Sequence, residues 1–109
     1  MMAQAFAAAP PEKTFNLDIL NGTVAAQQRL VRVDKGDAVR LYLTSDMPGE
    51  LHLHGYRLAV KLKPGAASEV SFQAYATGRY PFEWHGSADA GKNPRHHAPP
   101  LAALEVLPR

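Results

Sequence analysis

The chain contains no cysteine, so its five histidines are the side chains best suited to hold a metal ion. They fall in two segments. "ELHLHGY" (Glu50 to Tyr56) carries His52 and His54, and "HGSADAGKNPRHHAPP" (His85 to Pro100) carries His85, His96 and His97. On an extended strand alternate residues point the same way about 7 Å apart, so His52 and His54 can approach one ion from the same side. Neutral imidazole is a preferred ligand for copper and zinc, with each metal–nitrogen bond near ~2 Å. A third ligand must then come from the second histidine segment. A lone histidine on a strand is as readily a hydrogen-bonded or solvated residue; the grouping of all five in two segments carries the metal reading.

The elements that must position these residues follow a period of two. "TFNLDIL" sets Phe15, Leu17 and Ile19 on one face, "RLVRV" sets Val31 and Val33 opposite Leu30 and Arg32, and "AVRLYL" aligns Val39, Leu41 and Leu43. From His52 onward one long strand is expected, with His52, His54, Tyr56, Leu58, Val60 and Leu62 sharing a face. "SEVSFQAY" aligns Val70 with Phe72, "RYPFEW" aligns Tyr80, Phe82 and Trp84, and "LAALEVL" closes the series. Glycine- and proline-bearing turns separate these runs. Seven short strands, with a helical turn at Ala25 to Gln28, read as an all-β, antiparallel β-sandwich. Its predicted core is Leu17, Leu41, Leu58, Phe72 and Phe82. The two histidines then stand at one end of the sandwich, where loops gather and ligand sites are built. The stretch from His85 to Pro100 has no periodicity, and loops that long in compact domains are usually functional or disordered.

Composition narrows the function classes. At 109 residues the chain suits one domain, expected over residues 14–109. Twelve basic and ten acidic residues are scattered, with no basic stripe between exposed aromatics, which argues against nucleic acid. No apolar run approaches the roughly 18 residues of a membrane span. Residues 1–13, with the small-residue triplets "AFA" and "AAA", are expected to be a flexible tail left from an export signal, which implies a periplasmic or secreted protein. The lack of cysteine is neutral on compartment.

Three stretches resemble the cupredoxins. "HGYRLAV" is similar to the strand that carries their first copper-ligating histidine, "KPGAASEVSFQAYATGRYPFEW" to the stretch that leads to their ligating cysteine, and "HHAPPLAALEVLPR" to the segment with the second histidine and last strand. The resemblance implies a Greek-key β-sandwich and copper. It matches His54 to the first ligand, Trp84 to the cysteine, His96 to the second histidine and Leu101 to the axial methionine. Thiolate and thioether are therefore both absent, which removes the donors of a blue-copper centre. His52 and His97 are additions, and with His85 they offer a nitrogen-only site. The expected function is reversible binding of copper, as Cu(II) in a tetragonal site, with zinc also compatible. It would serve copper handling or tolerance, with a copper-handling protein as partner. The alternative is a metal-free cupredoxin fold used as an interaction or assembly module. A small copper enzyme ranks behind both, because Glu50, Glu83 and Asp89 make no distinctive pattern with the histidines.

Overall fold

The apolar alternation is realised as eight strands. In a computed structural model, which describes residues 12–86 and 100–109, these are β1 (Glu12–Ile19), β2 (Leu30–Asp34), β3 (Ala38–Ser45), β4 (Gly49–Leu53), β5 (Leu58–Leu62), β6 (Ser68–Gln73), β7 (Gly78–Gly86) and β8 (Ala102–Leu107). A single 3₁₀ turn, Ala26–Gln28, stands where the sequence suggested a helical turn. The strands form two sheets, one ordered β1-β3-β6 and the other β2-β8-β7-β4-β5. Most ladders are antiparallel, but β1 pairs with β3 and β2 with β8 in parallel.

Each sheet turns its apolar residues toward the other, as a sandwich core requires. Leu17, Ile19, Leu41 and Leu43 come from the three-stranded sheet, and Val31, Val33, Leu51, Leu53, Phe82, Leu104 and Val106 from the five-stranded one; all are buried. Leu17, Leu41 and Phe82 thus take the core places expected of them. Leu58 and Phe72 sit at its margin, half-buried and packed against it. Burying each large apolar side chain contributes on the order of 1.5–3 kcal/mol, so the sheet interface is the main source of stability.

The long strand expected from His52 onward is instead a hairpin. β4 ends at Leu53, His54 to Arg57 turn, and β5 returns antiparallel with Leu53 opposite Leu58 and Leu51 opposite Val60. Gly55 (φ 89°) and Arg57 (φ 56°) take the left-handed conformation that reverses the chain. A side chain on Gly55 would also overlap the Tyr80 ring. The turn changes the parity of the alternation. Leu58, Val60 and Leu62 face inward as predicted, whereas on β4 the inward residues are Leu51 and Leu53, and His52 lies on the opposite side. Tyr56 holds the turn down: it is buried, its hydroxyl donates to the Ala76 carbonyl at 2.9 Å and accepts the Ala76 N–H at 3.2 Å. Its ring lies 4.7–5.2 Å from those of Phe72, Tyr75 and Tyr80.

At another edge, Asp37 is fully buried. It accepts the Asp34 N–H at 2.8 Å and pairs with Lys13 (3.4 Å) and Arg109. One carboxylate so ties the β2–β3 turn to β1 and to the last residue. The Asp34 N–H holds the Asp37 carboxyl below its usual range; burial opposes this, and the Lys13 and Arg109 charges reinforce it.

Candidate metal site

β4 and β7 run antiparallel, with Glu50 opposite His85, Leu51 opposite Trp84, His52 opposite Glu83 and Leu53 opposite Phe82. Alternation then sorts the ladder into two faces. Leu51, Leu53, Phe82 and Trp84 point into the sandwich. Glu50, His52, Glu83 and His85 lie on the outer face of the five-stranded sheet. His54, first residue of the β4–β5 turn, joins this group from the strand end; its N–H donates to the Pro81 carbonyl at 3.1 Å. Directly opposed residues on one face stand close enough for their side chains to interact.

The outer group is polar and reachable. The side chains of His52, His54 and His85 are 33%, 50% and 55% exposed. The His52 ring centroid lies 4.7 Å from that of His85 and 6.2 Å from that of His54. Every one of these imidazoles turns its Nε2 toward a carboxylate. His52 Nε2 is hydrogen-bonded to Glu50 Oε1. A single oxygen, Glu83 Oε2, lies 3.2 Å from His54 Nε2 and 3.6 Å from His85 Nε2. In this arrangement the carboxylates occupy the directions in which the imidazole lone pairs would meet an ion. Among the described residues no group of three or more histidine, aspartate or glutamate side chains stands ready-made around one point. All five side chains are on the surface, where rotamer changes are fast.

The inner face is closed. Trp84, at the position matched to the cupredoxin cysteine, packs against the core and fills the space beside two glycines. A side chain on Gly49 would overlap the Trp84 ring and come within 2.8 Å of the His85 carbonyl, and one on Gly22 would meet the ring at 3.8 Å. The indole N–H is buried and has no hydrogen-bond partner among the described residues. Leu101, at the position matched to the axial methionine, is buried, with its N–H donating to the Phe82 carbonyl. His54 stands beside Pro81, whereas Trp84 stands opposite Leu51, about 10 Å away along the ladder at the strand rise per residue. The donors present therefore do not fit a blue-copper centre: the interior holds an indole and an isobutyl group where thiolate and thioether would be.

Of the five histidines, the register brings His52, His54 and His85 together. His96 and His97 lie outside the described residues. The sequence places Glu50 and Glu83 near the histidines, but the reading that they make no distinctive pattern missed a signal that was present. Glu50-x-His52-x-His54 and Glu83-x-His85 are period-two patterns, and their pairing became visible only once β4 and β7 were known to be neighbours.

No protein-family model matches the chain, and no curated protein matches its sequence. Solved structures do match its fold. A multicopper oxidase superposes with a TM-score of 0.66 at 19% identity over 89% of this chain and 42% of that one. The blue copper oxidase from Nitrosomonas europaea gives 0.60 at 20% identity, covering 90% and 39%. A copper-binding protein, solved in solution in its apo form, gives 0.64 at 13% identity and covers 96% of this chain and 97% of that one. This chain spans about two fifths of the oxidases it matches. The fold is that of a cupredoxin-like domain, without the cysteine ligand.

Proposed function

We propose that this protein binds copper through surface imidazoles on the β4–β7 ladder and serves copper handling or tolerance outside the cytoplasm. The observation that carries the reading is the register of β4 against β7, which sets His52 and His85 side by side with His54 at the ladder's end. The donor set is nitrogen and oxygen, which suits Cu(II) in a tetragonal site, and zinc next. His52, His54 and His85 would hold the ion; His96 and His97, on the segment that continues from β7, are the further ligands the sequence offers. Copper held in this way supplies a divalent charge that binds and releases reversibly, without the thiolate that rapid electron transfer in blue sites depends on. The export reading rests on the small-residue triplets near residue 5 and on the cupredoxin-like fold; no helix among the described residues is long and apolar enough to cross a membrane.

The experiment is a copper titration followed through Trp84, the chain's one tryptophan, which lies between Glu83 and His85 in sequence. Bound Cu(II) should quench its fluorescence and give only weak visible absorption. An intense visible charge-transfer band would contradict the assignment, since it needs a thiolate. The packing of Trp84 into the interior favours one other reading, a metal-free cupredoxin-like module for protein interaction. Equal copper dissociation constants for wild type and a His52→Ala, His85→Ala double variant would select it.

A further inference from the structure

We infer that Glu50 and Glu83 are ligands of this site and that they make it selective for divalent over monovalent copper. The inference rests on the histidine-site reading above and deepens it, naming the two carboxylates as ligands and as the source of the Cu(II) preference. Two carboxylates lie on the same face as the imidazoles, one on each strand of the ladder, and each is already in contact with an imidazole Nε2. Glu83 is central, because its Oε2 approaches two imidazoles on two different elements, His54 from the turn and His85 from β7. A metal ion drawing those two nitrogens together would meet this oxygen first.

Charge and softness point the same way. Two carboxylates neutralise a divalent ion and leave a monovalent one with an excess negative charge. Carboxylate oxygen is a hard donor, whereas Cu(I) favours thiolate and thioether sulfur, and the cluster contains no sulfur atom. Lys61, opposite Glu50 on β5, is the one cation in register with the group, and it is in no ion pair with Glu50 among the described residues. Both carboxylates are 34–40% exposed, so neither is needed to satisfy a buried partner. Their removal should leave the fold intact.

The test compares wild type with the Glu50→Gln, Glu83→Gln double variant in the full chain. Cu(II) affinity is measured in air against a competing chelator. Cu(I) affinity is measured anaerobically under reduction against a cuprous-specific chelator. Circular dichroism checks the fold. The double variant should lose at least about tenfold in Cu(II) affinity, the lower end of what removing groups around a metal usually costs. Its Cu(I) affinity should stay nearly constant, and its Cu(II) electron paramagnetic resonance parameters should move toward an all-nitrogen set. An unchanged ratio of Cu(II) to Cu(I) affinity, in a protein whose His52→Ala and His85→Ala variants do lose Cu(II), would overturn this inference alone. Unchanged Cu(II) affinity in the histidine variants as well would overturn the histidine reading and this inference with it.

Discussion

The two faces of the β4–β7 ladder are built from alternate residues of the same nine-residue strand and its five-residue partner, yet they have opposite characters. The inner face, Leu51, Leu53, Phe82 and Trp84, is apolar and filled. The outer face, Glu50, His52, Glu83 and His85, is polar and open. Trp84, which the resemblance to cupredoxins matches to their ligating cysteine, packs its indole into this inner face. The comparison teaches that one strand pair can close its inner face with apolar side chains and present nitrogen and oxygen donors on its outer one. Side-chain alternation keeps the two faces independent.

That independence gives the largest expected effect. Phe82→Ala should destabilise the protein by about 3–5 kcal/mol, as a large aromatic removed from a core leaves a cavity. His85→Ala, three residues along on the other face, should change stability by less than about 0.5 kcal/mol. Chemical denaturation of both variants checks this; comparable losses would mean that the faces are coupled. Next is Gly49→Ala, whose methyl group would overlap Trp84. Overpacking of this kind costs about 1–3 kcal/mol, and the smaller ring space of a Gly49→Ala, Trp84→Leu double variant should recover part of it in the same melts.

On the outer face the readout is affinity. His52→Ala or His85→Ala should weaken Cu(II) binding at least tenfold, about 1.4 kcal/mol, with the melting curve of the apo protein unmoved. A fall in both would show that the imidazoles are structural. A last prediction is a control remote from both faces. Asp37 has a folded-state pKa below its ordinary 3.8, so its contribution is present above that value and lost as pH falls through the depressed one. Acid unfolding of wild type should therefore be steepest below about pH 4, and Asp37→Asn, less stable at neutral pH, should show a flatter acid profile.

Much of this was legible in the sequence. The period-two runs gave Leu17, Ile19, Val31, Val33, Leu41, Leu43, Phe82 and Trp84 their inward direction, because alternation is a property of the extended chain and needs no partner. The absence of cysteine excluded thiolate chemistry outright. The direction of His52 was not legible. Its place in an unbroken apolar alternation suggested one strand, and only the folded turn at His54 to Arg57, with left-handed Gly55 and Arg57 and Tyr56 anchored to Ala76, reset the parity. The meeting of Glu50 with His85 and of His52 with Glu83 lay further beyond reach, since the partners are more than thirty positions apart in sequence. Local sequence fixes which side of a strand a residue occupies relative to its neighbours. Which strands lie side by side, and in what register, depends on the cooperative burial of both sheets, and that decision assembled the three imidazoles and two carboxylates on one surface.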